Sequence, residues 1–189
     1  MYRYLISCLF ILLLIAVPGG YFFQNYWIHR YDEVIARQAG VYRLDERLVW
    51  SVIYEETFFR PWKIGADDEI GLMQVTPLVA REWGRETGLQ ELERQASENV
   101  VEFLKDPERN IQVGSWYLER LREKYRGVPA ETAMTLAAYN AGPSRVEEWS
   151  KETDVEKLTE ADFISRIDIS STQAYVSSIL ARYRSDKSK

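Results

Sequence analysis

Apolar residues run unbroken by charge from Leu5 to Val17, and with Pro18-Gly19-Gly20-Tyr21-Phe22-Phe23 the stretch reaches about 19 residues. At ~1.5 Å per residue, a helix of that length spans a bilayer. Beyond it the apolar positions become periodic. Tyr31 to Ala39 reads as a short helix ended by Gly40. Leu44, Leu48, Val49, Val52 and Ile53 then recur at the spacing that gathers them on one helix face, with Asp45 as N-cap and Leu44 and Val49 as a staple across it. Thr76-Pro77 opens a helix running toward Gly88, and Gln90 to Lys105 is polar and helical by propensity. Asp106-Pro107-Glu108 starts a largely buried helix through Ile111, Gly114, Trp116, Tyr117, Leu118 and Leu121, with its stop at Gly127. An Ala-rich helix covers Glu131 to Tyr139 and ends at Asn140-Ala141-Gly142-Pro143. Ser144 to Trp149 is a short helix, Lys151 to Asp162 a charged connection, and Ile169 to Arg184 the last helix, with Tyr175, Ile179 and Tyr183 along one face. No strand pair and no internal repeat is visible. The pattern predicts an all-α, globular domain over 27–189 behind an N-terminal transmembrane anchor and juxtamembrane segment over 1–26.

One position breaks the polarity of that pattern. At roughly 100° per residue, the apolar arc of the helix after Asp45 is centred between Val52 and Glu56. Glu56 lies about 30° from the centre, whereas Glu55 lies about 70° away on the flank. A carboxyl aimed at the core in a last helical turn meets both desolvation and the negative end of the helix dipole. Both raise its pKa, so Glu56 is a candidate general acid. Tandem glutamates at a helix end are also compatible with plain solvation.

Charge and composition narrow the chemistry. The chain carries 24 Lys and Arg against 29 Asp and Glu, a formal net charge of −5. Only Arg3 precedes the end of the apolar stretch, so the portion after Phe23 holds 29 acids against 23 bases, net −6, without a basic stripe. Nucleic acid is therefore excluded as an expected partner. Arg3 and the free amine place the N-terminus in the cytoplasm and the remaining domain outside it, with Tyr21, Tyr26 and Trp27 at the far interface. A cleaved signal peptide, with a poor small-residue site over Ala16 to Gly20, is the competing reading; Pro18 and the aromatic cluster favour an uncleaved anchor. Cys8 is the only cysteine and His29 the only histidine, so no metal, disulfide or thiol chemistry is expected in the exported domain, and no cofactor is called for. The apolar run follows Cys8 rather than preceding it, which argues against lipidation there.

Glu56-Thr57-Phe58-Phe59-Arg60-Pro61 resembles the E-S-x-F-x-P motif of the soluble-type (SLT) lytic murein transglycosylases, relatives of goose-type lysozyme. Gly71-Leu72-Met73-Gln74 with Pro77 matches their G-L-M-Q motif, Ala138-Tyr139-Asn140-Ala141-Gly142 their third, and Asp106-Pro107…Asn110-Ile111 the D-P-x-x-N-I opening of a helix. Thr172-Gln173-Ala174-Tyr175-Val176 resembles the final motif, with Ser171 in place of the family's glutamate. The resemblance covers Tyr42 to Tyr183 and departs where a small Ser-x-x-Gly-Ala turn is replaced by Gly65-Ala66-Asp67-Asp68-Glu69.

The resemblance implies a lysozyme-like fold with a deep groove, peptidoglycan glycan strands as substrate, and cleavage of the MurNAc-GlcNAc β-1,4 bond to leave 1,6-anhydro ends. The family selects Glu56 as acid and then base. It also implies substrate-binding roles for Thr57, through its hydroxyl, and for Gln74 and Asn140, through their amides. Met73 and Tyr139 are expected to wall the cleft, and Tyr139 or Tyr175 to fix the Glu56 rotamer. Met73 and Tyr175 are equally compatible with packing, and of the tryptophans only Trp62, on a loop, is a candidate to stack on sugar. Asp67, Asp68 and Glu69 read as solvated turn residues. The expected location is the bacterial inner membrane, with the catalytic domain in the periplasm or otherwise outside the cytoplasm. A lysozyme-type hydrolase and a non-catalytic peptidoglycan-binding scaffold are the alternatives.

Overall fold

A computed structural model describes residues 2–88, 94 and 98–185, with side chains described from Ala16 onward. The chain opens in one long helix, α1 (Tyr2–His29), which contains Pro18 and continues through the expected boundary at residue 26 without a break. Among the described residues no helix is long and apolar enough to cross a membrane. The expected anchor rests mainly on side chains before Ala16, which lie outside the described residues.

α2 (Asp32–Val41) carries Gly40 inside its last turn rather than after it, and the helix stops at Tyr42, whose N–H bonds back to Gln38 while the Arg43 N–H bonds to Gly40. A glycine in an exposed helix costs only about 1 kcal/mol relative to alanine, so it need not mark an end. α3 (Glu46–Thr57) starts as its sequence requires: the Asp45 carboxylate accepts the Arg47 N–H at 3.0 Å, and Leu44 and Val49 are both buried. α4 (Pro77–Thr87) is capped by Thr76, which accepts the Val79 N–H, and ends at left-handed Gly88. The polar stretch expected to be helical from Gln90 lies partly outside the described residues; its later part forms α5 (Val100–Lys105).

α6 (Pro107–Lys124) is capped by Asp106 and ends at Tyr125, two residues before the Gly127 stop that the sequence predicts. α7 (Glu131–Ala141) and α8 (Pro143–Trp149) follow. The charged connection is shorter than expected, because Thr159 caps a further helix, α9 (Glu160–Arg166), by accepting the Asp162 N–H. α10 (Ser170–Ser185) closes the described chain. No strand occurs among the described residues; Ile64 with Ile70 and Ile70 with Val75 form isolated bridges only.

The Ala-rich α7 is the hub. Ala133, Met134, Leu136, Ala137 and Ala138 are buried, and α6, α8, α9 and α10 all pack against it. Small side chains on that helix let its neighbours approach closely, which concentrates apolar burial on one element. α10 also packs on α3. That contact brings the end of the chain to the last turn of α3, where Glu56 lies.

Candidate active site

Glu56 is half-buried in the last turn of α3, and its Oε1 accepts a 2.6 Å hydrogen bond from the Tyr175 hydroxyl. Burial pushes its pKa up to about 7, against the Tyr175 bond and the Lys63 charge, which favour the carboxylate; the Glu69 and Glu55 charges raise it further. Burial likewise keeps the Tyr175 and Tyr139 hydroxyls well above their ordinary range, so both remain donors. The choice between the two tyrosines is thereby resolved. Tyr175 bonds the Glu56 carboxyl, whereas Tyr139 donates to the Met73 carbonyl at 2.7 Å.

Glu55 has a different environment. Its Oε2 accepts from Ser178 Oγ at 2.8 Å and from the Arg182 guanidinium at 3.0 Å, which ties α3 to α10. Two adjacent glutamates thus separate into one that is held by a neutral phenol and one that is neutralised by a cation.

The Gly71–Gln74 turn passes beside Thr57, held from two sides. Asn110, fully buried on α6, accepts the Met73 N–H at 2.7 Å and donates to the Ile70 and Leu104 carbonyls at 2.7 and 2.8 Å. From α3, the Thr57 hydroxyl reaches the Leu72 carbonyl at 2.9 Å, with the Ile53 carbonyl at 3.3 Å. Gly71 has φ 77°, and a Cβ there would overlap the Asn110 side chain and come within 2.6 Å of the Leu104 carbonyl. Any other residue would meet both a backbone and a steric penalty. Met73 is buried against Gly114, where a Cβ would fall 2.5 Å from its Sδ; Gly114 therefore makes room on α6 for a side chain of the Gly71–Gln74 turn rather than for another helix.

These contacts sort the other expected site residues. The Thr57 hydroxyl, expected to face an acetamido group, is buried and directed at the loop backbone. Gln74 donates its amide NH2 to the Gly71 and Lys63 carbonyls at 3.0 and 3.3 Å, so its oxygen is the end left to accept. Asn140 is the converse: exposed, with its oxygen accepting the Thr172 hydroxyl at 2.7 Å, while its nitrogen has no partner among the described residues. Trp62 is 59% exposed, whereas Trp83 and Trp149 are buried and Trp50 and Trp116 half-buried.

Lys63 carries no signal in the sequence, and Glu69 departs from the solvated turn position expected for it. Lys63 donates to the Glu56 carbonyl at 2.5 Å, and its charge favours the Glu56 carboxylate. Glu69 is half-buried, unlike exposed Asp67 and Asp68, and burial raises its pKa. Nothing in a run of three acids distinguishes the third. Its inward turn comes from the Gly65 N–H bonding the Glu69 carbonyl at 2.7 Å and from the Ile64–Ile70 bridge. Among the described residues no group of His, Cys, Asp and Glu is arranged to hold a metal ion.

A family model described as "Transglycosylase SLT domain" matches residues 33–161. The chain belongs to that family. Similar curated proteins include membrane-bound lytic murein transglycosylase C of Histophilus somni, 38% identical over 122 residues, 62% of this chain and 32% of that protein. Membrane-bound lytic murein transglycosylase E of Buchnera aphidicola is 30% identical over 120 residues, 62% of this chain and 52% of that protein. The chain thus matches about a third to a half of the length of these relatives. Among solved structures, an inactive mutant of the lytic transglycosylase Slt of Pseudomonas aeruginosa superposes with a TM-score of 0.73 at 25% identity, over 86% of this chain and 25% of that one. The 70 kDa soluble lytic transglycosylase of Escherichia coli shares the fold, with a TM-score of 0.68 at 24% identity over 83% of this chain and 24% of that one. The expected all-α, lysozyme-like SLT fold therefore holds for the domain that follows α1.

Proposed function

We propose that this SLT domain is a peptidoglycan lytic transglycosylase that cleaves the MurNAc-GlcNAc β-1,4 bond with Glu56 as its acid and base. One observation carries the reading. A half-buried carboxyl with a pKa near 7 is held in one rotamer by a neutral tyrosine, beside a loop that offers an amide oxygen from Gln74 and, across α7, an amide nitrogen from Asn140. The names of its relatives, which are lytic murein transglycosylases, support the substrate class.

Glu56 donates its proton to the glycosidic oxygen as the C1–O bond breaks, and the bonding pair leaves with that oxygen. The muramic ring is left with oxocarbenium character. The Glu56 carboxylate then takes the proton of the same sugar's C6 hydroxyl while that oxygen bonds C1, giving the 1,6-anhydro product and restoring the acid. Tyr175 serves both halves of the cycle: its hydrogen bond fixes the carboxyl and stabilises the charge left after donation. An oxygen carried on the reacting ring needs no capture from solvent, an advantage on the order of 7–11 kcal/mol at best.

A second reading, hydrolysis by the same acid, is favoured by Glu69. A second carboxylate whose charge acts on Glu56 is what a hydrolase uses to hold water on the opposite face of the sugar. Digestion of purified murein followed by mass spectrometry separates the two readings, because an anhydro end is lighter than a reducing end by one water. A third reading, a non-catalytic murein-binding scaffold, predicts binding without either product.

The anchor belongs to this proposal as well. The apolar Leu5 to Phe23 and the membrane-bound names of the relatives support α1 as a single inner-membrane span, with the SLT domain on the outer side. Fractionation of the full chain tests it, and a soluble form starting near Gly20 would overturn it.

A further inference from the structure

Phe58 and Phe59, which follow directly on Glu56 and Thr57, both have left-handed backbones, with φ of 50° and 59°. Bulky side chains crowd the neighbouring carbonyls in that region, so two such residues in succession persist only where surrounding contacts over-determine them. The rings pack on α3, Phe58 against Tyr54 and the fully buried Phe59 against Trp50, while the two carbonyls are held from α1. Trp27 Nε1 donates to the Phe58 carbonyl at 2.9 Å, and the Arg30 guanidinium donates to the Phe59 carbonyl. The donors support each other: Arg30 Cζ lies 3.5 Å from the centre of the Trp27 ring. The same indole meets Trp62 edge-on at 5.8 Å, and Trp50 Nε1 bonds the Ile28 carbonyl at 3.1 Å, which ties this turn of α1 to α3.

On its other side the loop folds back on the end of α3. Arg60 Nε donates to the Thr57 carbonyl at 2.7 Å and Lys63 Nζ to that of Glu56. These bonds satisfy carbonyls that a helix end leaves without partners. They exist only while the intervening left-handed turn keeps Arg60 and Lys63 in place. The SLT match begins at residue 33, so Trp27 and Arg30 lie outside the family domain.

We infer that Trp27 and Arg30 are positioning residues for Glu56, which clamp the left-handed Phe58-Phe59 turn and thereby hold the helix end that carries the acid. The role rests on the catalytic reading of Glu56 for its effect on rate, but not for its effect on the carboxyl itself. When the clamp is released, Phe58 and Phe59 relax to ordinary backbone angles and the loop withdraws. The last turn of α3 then frays, so that Glu56 loses its alignment with Tyr175 and gains water. Facing the carboxyl are Glu55 on α3, Lys63 and Glu69 on the loop, Tyr139 on α7 and Tyr175 on α10. Burial is the strongest influence on its proton affinity, so hydration lowers the pKa.

The test uses the full chain with W27F and R30M combined, which keeps an aromatic ring and an aliphatic stem but removes both donors. Carbon-13 titration of the Glu56 carboxyl and turnover of soluble glycan strands are measured together. The expected result is a Glu56 pKa lowered from near 7, kcat reduced about tenfold or more with KM within about twofold, and a corresponding downward shift of the pH-rate limb. Adding F58G to the double variant restores most of the loss, because glycine takes positive φ without the side-chain penalty. The inference is overturned if the double variant, folded by circular dichroism, keeps the wild-type titration. It is equally overturned if activity merely tracks the unfolded fraction while the titration is unmoved. A wild-type chain that releases no muropeptide would defeat the catalytic reading instead, and the carboxyl titration would still decide the clamp.

Discussion

The Tyr175 hydroxyl, on the last helix, donates a 2.6 Å hydrogen bond to Oε1 of Glu56, 119 residues earlier in the chain. The bond joins two groups that burial acts on in the same direction, holding the phenol neutral and pushing the carboxyl toward its protonated form. A neutral donor of this kind restrains the rotamer without supplying a charge that would make Glu56 a permanent carboxylate. Tyr175→Phe removes the restraint and the side-chain hydrogen bond that favours the charged form. The upper limb of the pH-rate profile then moves to higher pH, and kcat falls by about tenfold. Steady-state rates between pH 5 and 9 check both effects.

Glu56→Gln abolishes turnover, since the amide keeps the shape and the Tyr175 bond but has no transferable proton. It also stabilises the fold at high pH. The folded pKa of about 7 lies above the ordinary glutamate value of 4.5, so the native state binds the extra proton between those values. The stability associated with Glu56 is fully present below about pH 4.5 and is lost as pH rises through 7. Gln has no such loss. The melting temperature of the variant should therefore match wild type near pH 4 and exceed it at pH 8, by an amount equivalent to at most about 3 kcal/mol.

Glu55→Gln gives the opposite pattern. Its carboxylate is bonded to Arg182 and Ser178 rather than to the site, so the change costs about 1 kcal/mol of stability and leaves most of the activity. Thermal melts and rates of the two variants side by side separate the roles. Equal loss of turnover from both, with both folded, would mean that the acid has been misassigned.

Asn110→Ala removes the partner of the Met73 N–H and of the Ile70 and Leu104 carbonyls, all held by one buried amide. Each buried group left unpaired costs roughly 1–3 kcal/mol. The expected loss is about 3 kcal/mol in chemical denaturation, together with weakened murein binding, because the Gly71–Gln74 turn loses its support from α6 while Thr57 remains.

What the sequence made legible follows the range of the interactions. The Asp45 cap, the Leu44 and Val49 staple and the inward aim of Glu56 are local, set within one or two helical turns, and arithmetic at 100° per residue was enough to find them. Gly40 and Gly127 misled at helix ends, because a glycine is a permissive residue and other contacts decided where α2 and α6 stop. The second half of the site was legible only in part. Asn110 and Tyr175 stand within motifs, but their partners, 37 and 119 residues away, are not open to any periodicity. Thr57 and Gln74 were expected to face sugar; the polar groups of the Gly71–Gln74 turn compete for them, and the requirement that buried carbonyls be paired drew the Thr57 hydroxyl and the Gln74 NH2 inward.

The decisive prediction concerns the product, and it turns on Glu69. Two nearby carboxyls with raised proton affinities do not both ionise readily, so at neutral pH the charge on one favours the proton on the other. In a transglycosylase Glu69 acts only through that charge. Glu69→Gln then lowers the Glu56 pKa, moves the upper pH limb downward, and leaves every muramic end as the anhydro sugar. In a hydrolase Glu69 itself holds the attacking water, and the same change removes reducing ends while Glu56 remains intact. Mass spectrometry of wild-type and variant digests distinguishes these outcomes by one water per end. The intramolecular hydroxyl needs no base to position it, and the Gly65–Glu69 backbone bond anchors Glu69 to its own turn. The expected product of both chains is therefore anhydro-terminated, with only the pH dependence displaced.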